Sequence, residues 1–215
     1  MSTRKSFKEW LRSLFPIDKA DEVLKEMEID ASVRGLPIVG RCRGQVLIDI
    51  IRRTRPKRIL EIGTFMGYST ILMARALGSD AKIITVEFNK DLAKIAQDNI
   101  KRADIRPKVE VIVDDAFNAI PRLDGEFDLV FLDGAKRQYL NYLQLVESKL
   151  HKGSIVVADN VGVFADVMKD YLKYVRFSRK FESRYISADE EGTVTVVDED
   201  GVFTGVDGVE VSTKL

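Results

Sequence analysis

Apolar residues fall along this chain in two alternating kinds of run. Short blocks bounded by charge or glycine read as buried strands, and longer stretches with apolar positions three or four apart read as amphipathic helices. The strand-like blocks are Arg58–Ile62, Lys82–Val86, Val109–Val113, Phe127–Leu132 and Ser154–Ala158. Helical spacing covers Ser69–Leu77, Asp91–Arg102, Tyr139–Leu150 and Val163–Tyr174. Repeated strand–helix units with apolar strands predict an α/β fold, a parallel sheet with helices on both faces. Ahead of this core, residues 5–34 read as helical, broken by Pro16, with Phe7, Trp10, Leu11, Leu14 and Phe15 as a first apolar stripe and Val23, Leu24, Met27 and Ile29 as a second. A further helix is expected over Val46–Ile51. Towards the end, Arg176–Ser187 and Thr193–Val197 are both β-like, and the gap between them is too short for a parallel crossover, so they are expected to pair antiparallel.

The resulting plan is one domain of 215 residues: N-terminal helices over 1–55 covering the site, a core over 56–198, and an extension over 199–215. The extension holds two turn signals, Asp200-Gly201 and Asp207-Gly208, that suit a small hairpin, and it has no functional assignment.

Composition narrows the function classes. Basic and acidic residues balance at 34 each, so the basic surplus of a dedicated nucleic-acid binder is absent, although a local patch can hide in a neutral total. Cys42 is the single cysteine, and no apolar run reaches membrane-spanning length or resembles a secretory leader. A soluble, cytoplasmic protein is expected. Cys42 reads as structural, because the sole histidine, His151, lies elsewhere and is expected at a helix end.

The segment Ile59-Leu-Glu-Ile-Gly-Thr-Phe-Met-Gly-Tyr-Ser-Thr70 places Gly63 and Gly67 after the first strand and before a helix, where backbone can approach a ligand closely. The spacing is not that of a dinucleotide-binding loop. Glu61 sits just before the turn, where a carboxylate can face a cationic ligand directly or through water. Glu87 ends the second strand, where an acidic side chain can accept both hydroxyls of a ribose. A plain β-turn-α unit with an acidic strand end is the ordinary alternative. The combination favours an adenosyl ligand.

Val39-Gly-Arg-Cys-Arg-Gly-Gln45, Leu60-Glu-Ile-Gly-Thr-Phe-Met-Gly-Tyr-Ser69, Phe131-Leu-Asp-Gly-Ala-Lys136 and Ala158-Asp-Asn-Val161 occur in this order. With them, residues 35–160 resemble the catechol O-methyltransferase family of S-adenosylmethionine enzymes. The resemblance implies a Rossmann-like class I methyltransferase fold, a mostly parallel seven-stranded sheet with an antiparallel C-terminal strand. It also implies that Val39, Gly63, Phe65, Ser69 and Glu87 line the cofactor site, and that Asp115, Ala116 and Phe117 lie near its adenine. The last two stretches are specific to the metal-dependent branch.

Asp133 ends one strand of this reading and Asp159 and Asn160 end the next, at the sheet edge that carries the cofactor loop. Two carboxylates and an amide oxygen are a hard-oxygen set suited to Mg²⁺ or another divalent cation, with Asp133 also bordering the cofactor. The lysine that matches Lys136 deprotonates the acceptor hydroxyl in the family. A bound metal makes such a hydroxyl more acidic, and cationic neighbours favour the neutral form of an amine. Taken singly, Asp133 could cap a helix, Asp159-Asn160 could be a turn, and Lys136 could be a solvated charge. Their joint occurrence argues for a site. Animal catechol enzymes carry His-Trp after the first metal aspartate, whereas this chain has Gly134-Ala135, so the wall over the cofactor differs. Glu182 is the candidate for the later carboxylate that contacts a second catechol hydroxyl. The expected partner is a small hydroxylated acceptor, within a homodimer. A hydroxylated tRNA base is the alternative acceptor, with Lys169, Lys173, Arg176, Arg179, Lys180 and Arg184 as its basic surface, and a non-catalytic adenosyl-binding protein is the alternative outside enzymes.

Overall fold

The computed structural model describes residues 18–187, 193–198 and 201–215. The stripe from Phe7 to Phe15, the loop Ala188–Gly192 and the turn at Asp200 lie outside the described residues.

Helix α1 (Lys19–Arg34) starts on Asp18, whose side chain accepts from the Ala20 N–H at 3.0 Å, and stops at Gly35 in the left-handed region. It buries Ala20, Val23, Leu24, Met27 and Ala31. Ile29, assigned to that face by its hydrophobicity, is instead 66% exposed, two positions round the helix from Met27. Helix α2 (Gly40–Thr54) begins six residues before the expected Val46. Its first turns, Gly-Arg-Cys-Arg-Gly, carry no apolar periodicity, and in them Arg43 and Gly44 are buried, Arg43 against Asp159 and Asp207.

The core then alternates β1 (Arg58–Ile62), α3 (Tyr68–Ala76), β2 (Lys82–Glu87), α4 (Lys90–Ala103), β3 (Lys108–Val113), a single turn α5 (Ala116–Ala119), β4 (Phe127–Leu132), α6 (Tyr139–Val146), β5 (Leu150–Ala158), α7 (Lys169–Phe177) and β6 (Phe181–Ser187). Three short segments follow, β7 (Thr193–Asp198), β8 (Gly201–Val206) and β9 (Gly208–Lys214). The main sheet runs β3-β2-β1-β4-β5-β9-β6. Pairing is parallel from β3 through β5, and β9 is antiparallel to both its neighbours. This is the expected mostly parallel sheet with an antiparallel C-terminal strand.

The identity of that strand corrects the sequence reading. Arg176–Ser187 does not pair with Thr193–Val197: β6 pairs with β9, and β7 pairs with β8 in a separate two-stranded ribbon. The extension at 199–215 therefore supplies a strand to the interior of the sheet, with Val209, Glu210, Val211 and Ser212 buried. Two further boundaries move. Residues 161–168 form turns rather than the start of α7, and α6 yields to a 3₁₀ turn at Glu147 before β5 begins at Leu150. His151 consequently lies in a strand, its Nε2 3.0 Å from Asp128, and not at a helix end.

Successive residues of each strand face opposite layers. Leu60, Ile62, Val86 and Leu132 pack with α6 and α7, while Ile59, Ile83, Leu129 and Phe131 pack with α1, α2 and α3. Strand order reverses between β1 and β4, and such a reversal opens a crevice at the carboxyl ends of the strands.

Candidate active site

The β1–α3 turn forms one wall of that crevice. Gly63 has φ +100°, and a Cβ there would sit 2.3 Å from the Asp133 carbonyl oxygen, so only glycine lets the ends of β1 and β4 meet. Phe65 takes φ +49°, and its N–H donates to Glu87 Oε2 at 2.8 Å. Asn89 N–H donates to Glu87 Oε1 at 3.0 Å. Each oxygen keeps further acceptor capacity. Gly67, at φ +86°, opens α3 with no side-chain cap, so the first amides of α3 point into the turn. Asn99 staples the turn from α4 by donating to the Met66 carbonyl at 3.0 Å.

Glu61 lies beneath the turn and is fully buried. Ser69 donates to it at 2.5 Å and Thr70 donates to its other oxygen. Burial pushes its carboxyl up to about 7, although these hydroxyls favour the charged form. Both oxygens thus accept from hydroxyls at the start of α3. Ser69 faces this network. On the far side of the crevice Asp115 caps α5 by accepting from the Phe117 N–H at 2.8 Å, Ala116 is buried, and the partly exposed Phe117 ring lies 5.4 Å from Tyr142. Val39, buried, precedes α2.

The second group gathers at the ends of β4 and β5. Lys136 Nζ donates to Asp133 Oδ1 at 2.9 Å and to the Tyr139 hydroxyl at 3.1 Å. The Tyr139 hydroxyl donates onward to the Asp159 carbonyl at 3.4 Å. Burial drives the Tyr139 phenol well above its usual 10, and the Asp133 and Asp159 charges add to this, so it stays a donor. Asp159 is 1% exposed, and burial raises its carboxyl to about 7 against the pull of Arg43. Asn160 holds φ +59°, a left-handed conformation that asparagine tolerates better than most side chains, and its Nδ2 donates to Asp207 Oδ2 at 2.7 Å. Arg43 spans two carboxylates, with Nε 2.8 Å from Asp159 Oδ1 and Nη1 3.0 Å from Asp207 Oδ2.

Asp133, Lys136, Asp159 and Asn160 are therefore brought together, next to Gly63. Among the described residues no group of three His, Cys, Asp or Glu side chains forms a metal cage, so a cation would have to use two carboxylates and the amide. The donor set fits one: the carboxylates and the amide are hard oxygen donors, and Asn160 has committed its nitrogen to Asp207, leaving its oxygen. Glu182 does not join the site. It pairs with Thr213 near the start of β6, at the opposite edge of the sheet, and is exposed. Sequence reasoning missed Arg43, Tyr139 and Asp207. Arg43 stood inside a quoted stretch, Tyr139 lies three residues after Lys136, and Asp207 looked like a turn residue.

A family model described as O-methyltransferase matches residues 19–205, and the chain belongs to that family. Catechol O-methyltransferase B of Danio rerio is 40% identical over 162 residues, covering 72% of this chain and 61% of that protein. Catechol O-methyltransferase of Bos taurus is 36% identical over 179 residues, covering 79% of this chain and 65% of that protein. The matched region is thus less than two thirds of the length of either relative. The solved O-methyltransferase TomG of Streptomyces achromogenes, involved in tomaymycin synthesis and in complex with SAM, is similar in fold with a TM-score of 0.73 at 26% identity, over 95% of this chain and 94% of that one.

Proposed function

We propose that this chain transfers the methyl group of S-adenosylmethionine to a hydroxyl of a small acceptor whose neighbouring oxygens chelate a divalent cation. The observation that carries the reading is the contact between Gly63 and Asp133, which sets the cofactor turn directly against the Asp133–Lys136–Asp159–Asn160 cluster. Glu87 is held by two backbone N–H groups so that its remaining lone pairs can take the ribose hydroxyls. Asp133, Asp159 and Asn160 would hold Mg²⁺ or Mn²⁺. Such an ion supplies acidity to a chelated hydroxyl and fixes its orientation.

Lys136 is the residue placed to take the hydroxyl proton. As an ammonium donating to Asp133 and Tyr139 it has no lone pair, so it would first give one proton to solvent; the neutral amine, still donating to Tyr139, then takes the hydroxyl proton. The acceptor oxygen forms a bond to the methyl carbon as the carbon–sulfur bond breaks, and the proton remains on Lys136 Nζ. Alignment of the two reactants accounts for much of the rate.

A small acceptor is favoured over tRNA because half of the basic run is paired with acids. Lys169 bridges to Asp166, Arg176 to Glu210 and Lys180 to Glu147, which lowers the net positive charge of that face. We expect a cytoplasmic setting, with Cys42 in no disulfide, and a homodimer, since Ile29 and Val33 are exposed on one side of α1. Among the described residues no helix is long and apolar enough to cross a membrane. Calorimetry with S-adenosylmethionine, followed by methyl transfer to a panel of vicinal dihydroxy compounds and to bulk tRNA, tests the reading. Binding with transfer to the small panel supports it. Binding without transfer to either class leaves an adenosyl-binding protein, and transfer to tRNA alone replaces the acceptor.

A further inference from the structure

Asp207 joins β8 to β9, in the stretch to which the sequence assigns no function, and it is 2% exposed. Its Oδ1 accepts from the backbone N–H groups of Gly162 at 3.2 Å, Val163 at 3.3 Å and Gly208 at 2.9 Å. Its Oδ2 accepts from Asn160 Nδ2 at 2.7 Å and lies 3.0 Å from Arg43 Nη1. Arg43 continues to Asp159 Oδ1 at 2.8 Å. Backbone packing leaves this arrangement little freedom. A Cβ on Gly162 would fall 2.2 Å from the Val206 carbonyl oxygen, and one on Gly208 would fall 2.3 Å from that of Ile186. One carboxylate from the end of the chain thus touches one candidate ligand directly and the other through a guanidinium.

An asparagine side chain presents either an oxygen or an NH₂ group, and only the oxygen can ligate a hard cation. Because Nδ2 is committed to Asp207, the amide has one orientation, with Oδ1 at the end away from Asp207. The guanidinium has a fork that reaches two carboxylates at once, and it offsets the charge of two buried acids that would otherwise repel each other. We propose that Asp207 and Arg43 are positioning residues for the candidate metal site: Asp207 selects the Asn160 orientation that offers oxygen, and Arg43 holds Asp159 beside it. This inference rests on the metal reading given above. It makes β9 and the N-terminal part of α2 components of the site, although neither supplies a ligand.

The test is titration of the chain with Mn²⁺, free ion being followed by electron paramagnetic resonance, without acceptor or turnover. The parent chain is expected to bind. Asp207→Asn keeps the size but replaces an acceptor with an ambiguous amide, and it is expected to weaken Mn²⁺ by roughly 10- to 100-fold, the usual effect of changing a residue that orients a metal ligand. Its affinity for S-adenosylmethionine without metal should stay within about twofold, a split that general loosening of the fold would not produce. Arg43→Lys, whose single ammonium cannot span both carboxylates, should fall between the two. A second measurement needs no substitution. In the parent chain labelled with ¹⁵N-asparagine, the Asn160 side-chain NH₂ should resist exchange and stay protected when Mg²⁺ is added, because it faces Asp207. A folded Asp207→Asn chain with parental Mn²⁺ affinity overturns the positioning role, and so does an Asn160 NH₂ that exchanges as freely as an exposed amide. A parent chain that binds no Mn²⁺ overturns the metal reading itself and this inference with it.

Discussion

Lys136 is held between an acid and a phenol, within reach of both by 3.1 Å or less. A lysine that only balanced Asp133 could be replaced by arginine, whereas a proton acceptor could not, since guanidinium stays protonated. Lys136→Ala is expected to lower kcat by about 10² to 10⁴, and Lys136→Arg to give no rescue, as read by steady-state rates. The S-adenosylmethionine dissociation constant should barely move in either. Near-normal turnover in the arginine variant would reduce Lys136 to electrostatic support. Glu87 has the converse signature. Glu87→Ala should weaken S-adenosylmethionine by on the order of thirtyfold, about 2 kcal/mol, in calorimetry, with the thermal midpoint little changed. An unchanged constant would remove Glu87 from the site. Both candidates stand out in the sequence, Glu87 at the end of a strand and Lys136 just past one, within a stretch that resembles the family. Arg43 and Asp207 do not, because their meaning comes from one another, and they are brought together only by the folded sheet.

Among the elements, the join of α6, α7 and β9 rests on Glu147. It accepts from Lys214 at 2.8 Å and from the Tyr174 hydroxyl at 2.5 Å, with Lys180 at 2.9 Å. Partial burial opposes its charge, but hydrogen bonds from Lys214, Tyr174 and Lys180 outweigh this and hold the carboxyl at about 2, below the ordinary 4.5. A carboxyl with a depressed folded pKa contributes stability that is present above the unfolded value and is lost as pH falls through the folded one. Glu147→Gln should therefore cost about 2 to 3 kcal/mol at pH 7 by denaturant unfolding, and the difference from the parent should shrink between pH 4.5 and about 2. A gap that persists at pH 2 would mean packing, not charge, links these elements. Element boundaries followed the same division as the residues. Arg58–Ile62 and Phe127–Leu132 were read to the residue, since a fully buried strand shows itself as an apolar block. The start of α2 and the 161–168 turns escaped, because polar groups from elsewhere in the chain fix them.

For the molecule as a whole, the sheet is complete only with β9 between β5 and β6. Periodicity exposed the five parallel strands β1 to β5, but it could not show which late segment pairs with which. β9 mixes polar and apolar side chains, and its buried Glu210 is tolerated only because Arg176 and Ser183 meet it at 2.6–2.8 Å. Deleting residues 208–215 should abolish cooperative thermal unfolding in circular dichroism, since it leaves β6 without a sheet partner, opens one edge of β5 and leaves Arg176 without Glu210. A truncated chain that still melts cooperatively would show that the core stands without its last strand. The same strand brings Asp207 to the cluster at the ends of β4 and β5, so integrity of the sheet and geometry of the site are one property. The most direct test of the metal-assisted transfer is the initial rate of methyl transfer from S-adenosylmethionine to a vicinal dihydroxy acceptor, measured in EDTA and again after Mg²⁺ is restored in excess. The expected result is a rate at background in EDTA that recovers with Mg²⁺, and a full rate in EDTA would contradict it.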